Sequence, residues 1–457
     1  MRRYTLTTFG CQMNVYDSGR LEGLLAERGW VKAQKADEAD FIFFNACSIR
    51  EKAAQRVISR LKEFKSLKKA RPNLIVGVGG CLAEQEGANF LKKVPFLSLV
   101  AGPRRLTEIP ALLDRLDPKG PAIILAGDGA EPRPPAAPAS QAAPLSSFVT
   151  VMEGCDNFCA YCVVPYLRGR EKSREPGEIL AEVEGLLARG CREIVLLGQN
   201  VNSYAPKGSP AAGKASPFVD LLKRLAAYPE LWRLRFTTSH PKDFPPELIE
   251  LFGSLKTLAP SLHLPLQSGS DSVLKAMGRR YDRAQYLGLV KKLKKAAPLL
   301  ALSTDVIVGF PGETEEDLAD TLSALAEARF DSIYSFKYSD RPQTRALGLP
   351  NKIPEPEKAR RLDLVQDLQR KITLEINQAL VGQELEVLVT GPGRNLGQMS
   401  GRSGTNKIVN FIGPSSLYGQ LARATIVEAY AASLLGRLAT PAGELWAAAG
   451  DAAGARS

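Results

Sequence analysis

The fold of this chain is interpreted from one short stretch, Gly154-Cys155-Asp156-Asn157-Phe158-Cys159-Ala160-Tyr161-Cys162. Its three cysteines have the spacing C-x3-C-x2-C. Cysteine thiolates are the usual ligands of a [4Fe–4S] cluster, and three of them leave one iron open to a small chelating molecule. A zinc site normally closes with four ligands in two close pairs, and no second C-x2-C pair or nearby histidine follows here. The spacing therefore predicts a cluster with an open iron. The alternative is three unconnected thiols in a loop.

The composition is that of an ordinary globular protein. The chain has 457 residues, of which 44% are hydrophobic and 24% are charged, and this length suits roughly two or three domains. No apolar run reaches the ~18 residues that span a bilayer, and the start is too short and polar for a signal peptide. Seven cysteines in such a chain favour metal binding or catalysis over disulfides, which predicts a cytoplasmic protein. The net charge of +11 favours a polyanionic partner.

Residues 1–118 predict a doubly wound parallel α/β domain. Three strands are predicted, at Tyr4–Phe9, Phe41–Phe44 and Leu74–Val78. Cys11, Cys47 and Cys81 each follow one of these strands at its carboxyl end. Because the carboxyl ends of parallel strands share one edge of a sheet, three thiolates from distant points in the sequence can converge there. This placement predicts a second [4Fe–4S] cluster. The alternative is three scattered, buried cysteines.

Residues 119–144 turn to proline and alanine, as at Glu131–Pro138, and predict a semi-rigid linker. Residues 145–373 alternate strands and helices again. Six strands are predicted, at Ser147–Met152, Glu193–Leu197, Leu234–Thr237, Leu262–Leu264, Ala301–Val308 and Ser332–Phe336. This alternation fits a partial (β/α)6 barrel, whose working face lies at the carboxyl ends of the strands.

The two histidines and the seventh cysteine are predicted to be structural. His240 and His263 lie at strand ends on the predicted working face, where a lone histidine more often satisfies a hydrogen bond than transfers a proton. Cys191 precedes a strand at its amino end, away from that face, and is expected to be a packing residue.

Residues 376–437 predict a small antiparallel β-barrel, a fold that often binds nucleic acid. Three strands are predicted, at Leu385–Val389, Lys407–Phe411 and Leu421–Val427. The Ala- and Gly-rich tail, residues 438–457, is expected to be flexible apart from a short helix at Glu444–Ala449.

Several motifs together resemble those of the radical S-adenosylmethionine (SAM) methylthiotransferases, over nearly the whole chain. The three-part layout is similar to that family's auxiliary-cluster domain, radical SAM core and TRAM barrel. Gly10–Asn14 with Asp17-Ser18, Asn45–Ala53, and Gly401-Arg402 with Asn406–Phe411 resemble the MiaB branch. Two departures stand out: Ala46 replaces the usual threonine, and Ser339–Thr344 departs from a common Ser-Pro-Arg-Pro-Gly-Thr pattern.

The resemblance implies methylthiolation at C2 of N6-isopentenyladenosine (N6-dimethylallyladenosine) beside the anticodon of tRNA. It implies SAM and two [4Fe–4S] clusters as cofactors, one cluster held by Cys11, Cys47 and Cys81 and the other by Cys155, Cys159 and Cys162. An electron donor and a sulfur donor are also required. Residues at the predicted working face would bind SAM: Tyr161, Gly198, Gln199, Ser239, His240, Gln267, Asp305 and Gly309. Basic residues near that face or on the barrel would bind RNA: Arg168, Arg170, Arg341, Arg402 and Lys407.

Other functions remain open at this point. Related branches of the same family act on threonylcarbamoyladenosine in tRNA or on an aspartate of a ribosomal protein. The chain could also be a radical SAM enzyme that modifies another protein side chain, or an RNA-binding iron–sulfur sensor without catalysis. Reductive SAM cleavage by the isolated protein would distinguish an enzyme from a sensor.

Overall fold

The computed structural model describes residues 1–48, 51–127, 129, 143–209 and 216–439. The predicted linker segment Glu131–Pro138, the helix at Glu444–Ala449, and Ile49 and Arg50 of the second motif lie outside the described residues. The chain divides into two compact units, Met1–Ser209 with Arg341–Leu347, and Pro210–Asp340 with Gly348–Ser457. Each unit is described by itself.

The first unit begins with a parallel sheet of six strands in the order β2-β1-β3-β4-β5-β6. Its strands are β1 (Arg3–Phe9), β2 (Val31–Lys32), β3 (Phe41–Ala46), β4 (Ile75–Gly79), β5 (Leu99–Ala101) and β6 (Ile123–Leu125). The helices between them are α1 (Gln12–Glu27), α2 (Glu51–Glu63), α3 (Lys65–Ala70), α4 (Cys81–Glu86), α5 (Asn89–Lys93) and α6 (Ile109–Leu113).

Alternating side chains of β3 pack against opposite faces of the sheet, because successive residues of a strand point to opposite sides. Phe41 and Phe43 pack in a core with Leu21 and Leu25 of α1. Ile42 and Phe44 belong to a second core that includes α2. Helices therefore cover both faces, and the predicted doubly wound architecture is confirmed.

The linker prediction began too early in the chain. Residues 123–125, assigned to the linker, form strand β6 and pair in parallel with β5. Three apolar residues next to a buried edge are enough to extend a sheet, although they are too few to show a strand period in the sequence.

The rest of the first unit contains two pairs of strands and two helices. These elements are β7 (Ser146–Thr150), β8 (Met152–Glu153), α7 (Val164–Leu167), β9 (Lys172–Ser173), α8 (Pro176–Ala188) and β10 (Glu193–Leu197). Strands β7 and β10 are parallel, whereas β8 and β9 form a short antiparallel pair on either side of the Cys155–Cys162 loop. Helix α1 packs on β10 through Met13 and Tyr16.

The second unit continues the alternation of strands and helices. Its elements are α9 (Pro217–Leu225), β11 (Arg233–Phe236), α10 (Pro246–Ser254), β12 (Ser261–His263), α11 (Asp271–Met277), α12 (Arg283–Ala296), β13 (Ala301–Val308), α13 (Glu315–Ala328), β14 (Ser332–Lys337) and α14 (Glu355–Gln378). Strands β12, β13 and β14 form a parallel sheet. Each of the six strands predicted for residues 145–373 has a counterpart in the described chain.

A closed five-stranded barrel follows in the second unit, in the order β15-β16-β17-β19-β18. The strands are β15 (Glu384–Pro392), β16 (Gln398–Ser403), β17 (Ile408–Ile412), β18 (Leu421–Ala429) and β19 (Leu434–Leu438). Sequence analysis predicted only three of them. The residues of β16, Gln-Met-Ser-Gly-Arg-Ser, carry almost no apolar signal, and β19 reaches one residue past the predicted end of the domain.

Among the helices described, none combines the length and the apolar character needed to cross a membrane.

Candidate metal centres

Cys11, Cys47 and Cys81 lie at the carboxyl ends of three neighbouring strands. Cys11 precedes α1, Cys47 directly follows β3, and Cys81 opens α4. The helix after β1 packs on one face of the sheet and the helix after β3 on the other. Where adjacent connections leave in opposite directions, a crevice opens at the strand ends, and open α/β sheets bind ligands there. The structure therefore brings the three predicted cysteines to a position suited to ligand binding.

The thiols of this first site influence one another. A hydrogen bond with Cys47 lowers the pKa of the Cys11 thiol to about 6, although burial opposes the shift and the Arg168 charge assists it. Burial raises the pKa of the Cys81 thiol, while the Arg168 charge opposes that rise. Thiolates are the form that binds iron, so a cation beside these sulfurs favours their role as ligands.

Two buried asparagines join the start of α1 to the end of β3 at the first site. The Asn14 amide Nδ2 donates to Asn45 Oδ1 at 3.0 Å, and Asn45 Nδ2 donates to the Asn14 carbonyl at 2.9 Å and to Ser18 Oγ at 3.0 Å. The Cys11 thiol donates to Asn14 Oδ1 at 3.4 Å. Both asparagines belong to quoted motifs, but sequence analysis assigned them no role.

Gly80 gives this network the space that it needs. It has φ +85°, and a Cβ there would lie 2.3 Å from Asn45 Oδ1 and 2.7 Å from the Ala46 carbonyl oxygen. Both the left-handed backbone and the close approach require glycine.

Cys155, Cys159 and Cys162 lie in one loop between β8 and β9. Cys155 and Cys159 are buried and Cys162 is partly exposed. The loop opens at Gly154, whose φ of +76° places the Cβ position 2.0 Å from the Arg170 carbonyl oxygen. Arg170 also pairs with Asp156 at 2.7 Å and stacks over the Phe158 ring, 5.5 Å from its centroid.

A distant segment of the first unit closes on the same loop. Arg345 Nη2 donates to the Phe158 carbonyl oxygen at 3.0 Å, and the Ala346 amide donates to the Ala160 carbonyl oxygen at 2.8 Å. These bonds fix the loop from residues that lie nearly 190 positions later in the chain. Sequence analysis missed this contact; its only signal was the unusual motif at Ser339–Thr344, which ends just before Arg345.

The part of the chain that the structure describes contains no group of three or more His, Cys, Asp or Glu side chains placed to hold a single metal ion. Each ligand of a four-iron cluster binds its own iron, so cluster thiolates need not converge on one atom. Two sets of three cysteines, each with two buried members and one partly exposed member, provide donors that fit such clusters.

Two of the basic residues predicted to bind RNA have other partners, which corrects their assignment. Arg168 is only 5% exposed, and its Nη2 donates to Asp17 Oδ2 at 2.7 Å. Lys407 is half-buried, and its Nζ lies 2.7 Å from Asp331 Oδ1. Each is neutralised by a carboxylate that is distant in sequence, so neither presents a free cation to a phosphate.

The other three predicted RNA contacts stay predictions. Arg170 is 75% exposed at its side chain even though it pairs with Asp156. Arg402 is exposed and donates to Asn406. Arg341 is partly exposed and opens the segment Arg341–Leu347 of the first unit.

In the first unit, the predicted SAM-binding residues differ in what surrounds them. Gln199 follows β10, and its Oε1 is buried with no hydrogen-bond partner among the described residues. Tyr161 is partly exposed beside Cys162. Gly198 was expected to admit a ligand, but a Cβ there would meet Met152 Cγ at 2.5 Å, so packing already requires the glycine. A buried acceptor without a protein partner is expected where a bound ligand donates the hydrogen bond. This observation favours Gln199 as a SAM-binding residue.

Two predicted SAM-binding residues of the second unit have the same feature. Ser239 Oγ and Gln267 Oε1 are buried without a hydrogen-bond partner in the portion described, and Gln267 adopts φ +72°. Asp305 Oδ2 lies 3.4 Å from His263 Nε2, whose ring also bonds Ser303 Oγ at 3.0 Å.

The remaining two positions in the second unit already have structural tasks. Burial, assisted by the Arg279 charge, lowers the pKa of His240 to about 2, so this ring is neutral and accepts a bond from the Lys242 amide. The Gly309 amide donates to Glu313 Oε2 at 2.6 Å. The expected structural role of His240 agrees with this environment.

Cys191 is fully buried. Its thiol donates to the Glu193 carbonyl oxygen at 3.2 Å and to the Leu145 carbonyl oxygen at 3.5 Å, and burial raises its pKa. A neutral thiol held by two backbone carbonyls is a packing residue, as predicted.

Comparison with known proteins gives three consecutive family matches. They are the Uncharacterized protein family UPF0004 at residues 3–102, the Radical SAM superfamily at residues 149–325, and the TRAM domain at residues 378–439.

Several curated relatives match almost the full chain. A tRNA-2-methylthio-N(6)-dimethylallyladenosine synthase of Geotalea uraniireducens (strain Rf4) is 45% identical over 436 residues, which cover 95% of this chain and 98% of the relative. A protein with the same description from Syntrophobacter fumaroxidans is 46% identical and covers 96% of each chain.

Among solved structures, the radical S-adenosylmethionine methyltransferase TsrM of Kitasatospora setae, with cobalamin and a [4Fe-4S] cluster bound, has a TM-score of 0.53 at 15% identity. The match covers 88% of this chain and 77% of TsrM. At that identity the likeness concerns the fold alone.

Proposed function

The chain belongs to the tRNA-2-methylthio-N(6)-dimethylallyladenosine synthases, the MiaB branch of the radical SAM methylthiotransferases, and we propose its reaction on that basis. It adds a methylthio group to C2 of N6-dimethylallyladenosine next to the anticodon of tRNA. The observation that carries this proposal is the 45% identity to such a synthase over 95% of the chain. The relatives described above share that activity in their names, which favours it over the threonylcarbamoyl and ribosomal-protein alternatives.

SAM and two [4Fe–4S] clusters are the cofactors. We propose Cys155, Cys159 and Cys162 as ligands of one cluster, and Cys11, Cys47 and Cys81 as ligands of the other. Each set has two buried cysteines and one partly exposed cysteine, and this supports the assignment. When bound, these cofactors supply the radical and sulfur chemistry that substitution of an unactivated aromatic C–H requires.

The protein's own residues position these groups. The Ala346 amide and the Arg345 guanidinium hold the backbone of the Cys155–Cys162 loop from outside. Asn14 and Asn45 hold the start of α1 and the end of β3 together at the first site. Such pre-organisation matters because reacting atoms must be held close together before a radical is formed.

We propose that the modules divide the work. The amino-terminal sheet presents the sulfur, the core centred on residues 145–373 binds SAM, and the barrel of residues 376–437 adds tRNA affinity. An electron donor and a sulfur donor complete the partners. A cytoplasmic location suits a tRNA substrate and seven cysteines that form no disulfide in the described part of the chain.

A competition assay tests the substrate. The reconstituted enzyme receives SAM, dithionite, a sulfide source and two anticodon stem-loops, one with N6-dimethylallyladenosine and one with threonylcarbamoyladenosine. We expect the methylthio product from the first, because a pocket built for an apolar prenyl group rejects a polar one. Preferential modification of the second stem-loop would overturn the substrate assignment while leaving the cofactor assignment intact.

The role of the barrel needs point variants, because the barrel is bonded to the rest of its unit. Arg233 Nη1 donates to the Arg402 carbonyl oxygen at 2.6 Å, and Arg235 Nη2 to the Ser403 carbonyl oxygen at 3.0 Å. Deleting the barrel would remove these carbonyl acceptors from two buried guanidinium groups.

Arg402→Ala removes one exposed barrel cation without disturbing those backbone bonds. We expect weaker tRNA binding and a salt dependence reduced by about one counterion. Arg423→Ala is the matched control, since Arg423 is an exposed barrel arginine that pairs with Glu384. If both variants weaken tRNA binding equally, the general positive charge of the barrel attracts tRNA, and Arg402 makes no defined contact with it.

A further inference from the structure

Arg168 occupies a position between the two sets of cysteines in the first unit. It directly follows α7, and its amide bonds the Val164 carbonyl oxygen at 2.8 Å. Val163, the residue after Cys162, packs with Leu167 against Cys81. The segment that ends the Cys155–Cys162 loop therefore contacts a cysteine of the other site.

The Arg168 side chain is buried among groups that carry or can acquire negative charge. Its guanidinium bonds Asp17 at 2.7 Å, and the side chains of both residues are 4% exposed. Its charge also acts on the Cys81, Cys11 and Glu153 side chains. Burying a cation is costly unless such partners offset the lost hydration, so this placement needs an explanation beyond packing.

A guanidinium suits this position better than an ammonium would. Its planar fork can donate to a carboxylate and a sulfur at the same time, and it stays charged at every physiological pH. Asp17 lies on α1, six residues after Cys11, so the ion pair links α1 to the end of α7, and α7 in turn packs against Cys81 at the start of α4.

We propose that Arg168 is a positioning residue shared by the two cysteine sites. It holds the end of the Cys155–Cys162 loop against the first site, and its charge favours the reduced form of a cluster bound by Cys11, Cys47 and Cys81. The inference rests on the proposed function, because it presumes that cluster. Reduction adds one electron and makes or breaks no bond, so a nearby positive charge stabilises the product state; in the experiment below, dithionite supplies the electron.

The test is a dithionite redox titration of the anaerobically reconstituted full chain, followed by electron paramagnetic resonance. A Cys155→Ala background isolates the signal of the first site. We expect Arg168→Gln to lower the equilibrium constant for reduction of this cluster about tenfold or more, equivalent to a fall of ~59 mV in the potential of a one-electron couple. Asp17→Asn should raise it, because Arg168 then loses its neutralising partner, and Arg168→Lys should keep it near the parent value.

The matched control is Arg28→Gln. Arg28 pairs with Asp114 at 2.6 Å in the same domain, but on the surface, and it should leave the potential unchanged. Opposite shifts from Arg168→Gln and Asp17→Asn support the proposal, because general loosening of the site would shift both in one direction. If Arg168→Gln fails to fold, as judged by circular dichroism, Asp17→Asn and Arg168→Lys decide: a raised potential in the first with a parent-like potential in the second supports the proposal, and equal shifts in both overturn it.

Failure of the proposed function and failure of the role of Arg168 would give different results. If the parent chain binds no second cluster, the proposed cluster assignment is wrong. If the cluster forms but its potential is the same in Asp17→Asn, Arg168→Gln and the parent, only the role of Arg168 is overturned.

Discussion

The two sets of cysteines reach similar donor sets by different routes. Cys155, Cys159 and Cys162 lie within eight residues, in a loop shaped by Gly154 and Phe158 at positive φ. Cys11, Cys47 and Cys81 come from three strand ends and meet only because β1, β3 and β4 are neighbours in the sheet. The first route depends on local backbone shape, whereas the second depends on the topology of a whole domain. The comparison shows that proximity in sequence is not a requirement for a shared site.

The largest expected effect separates the two sites by their iron. Reconstituted protein should bind about eight irons, four per cluster. Cys155→Ala should lose about half of this iron and all reductive SAM cleavage, whereas Cys47→Ala should lose the other half and keep cleavage. Iron analysis and detection of 5′-deoxyadenosine measure both quantities. If either variant loses all its iron, the two sites are not independent and the comparison fails.

Glycine variants test the backbone behind each route. Gly154→Ala places a methyl group 2.0 Å from the Arg170 carbonyl oxygen, and Gly80→Ala places one 2.7 Å from the Ala46 carbonyl oxygen. Each also forces a side chain into a left-handed backbone, which costs about 1–3 kcal/mol. We expect each variant to lose cluster occupancy mainly at its own site, as measured by iron content and electron paramagnetic resonance.

Gly19→Ala in α1 is the control for both glycine variants, since a Cβ there meets nothing within 4 Å. It should keep both clusters and stabilise the helix by roughly 0.5–1 kcal/mol. Loss of both signals in Gly80→Ala would show that the loop also depends on the sheet.

A smaller effect concerns stability without iron. Asn45→Ala removes a buried amide that makes three hydrogen bonds at the first site, and it should lower the free energy of unfolding by about 2–4 kcal/mol. Asp156→Ala removes an exposed ion pair with Arg170 and an exposed hydrogen bond from the Glu171 amide, both beside the loop, and it should cost about 1 kcal/mol. Urea denaturation of the apoprotein measures both. If both variants lowered the free energy of unfolding equally, this would contradict the view that the first site depends on tertiary packing and the second on local backbone shape.

The smallest effect is expected at the seventh cysteine. Cys191→Ala removes a buried thiol and its two bonds to backbone carbonyls, so it should destabilise the protein by about 1 kcal/mol. Both clusters should remain, with unchanged iron content. A clear loss of iron would make Cys191 a ligand and revise one of the two sets.

Sequence reasoning located both sets of cysteines because their signals are strong and of different kinds. A C-x3-C-x2-C spacing is visible in the sequence itself. Cysteines that follow apolar strands are expected together at one edge of the sheet, once the sheet is known to be parallel. The short strands β6 and β19 were missed, because three to five residues carry too little period to stand out from a turn or a tail.

The basic residues were harder to assign, for a different physical reason. Composition identifies Arg168 and Lys407 as cations but cannot show which carboxylates face them. Asp17 stands 151 positions before Arg168, and Asp331 stands 76 positions before Lys407. Neutralisation by a distant partner depends on tertiary packing alone. The side chain of Arg402 bonds Asn406 in its local turn, and Arg402 is one of the three residues whose RNA contacts stay predictions.

The closure of the cysteine loop by Arg345 and Ala346 has a consequence for synthesis of the protein. The ribosome makes Cys162 about 185 residues before it finishes the segment ending at Leu347. At ~5–20 residues per second, the loop waits roughly 10–40 s for its closing bonds. Iron delivered to a nascent chain in that interval would meet an open loop, whereas iron delivered afterwards would meet a braced one. The timing of translation thus becomes a variable in cluster assembly.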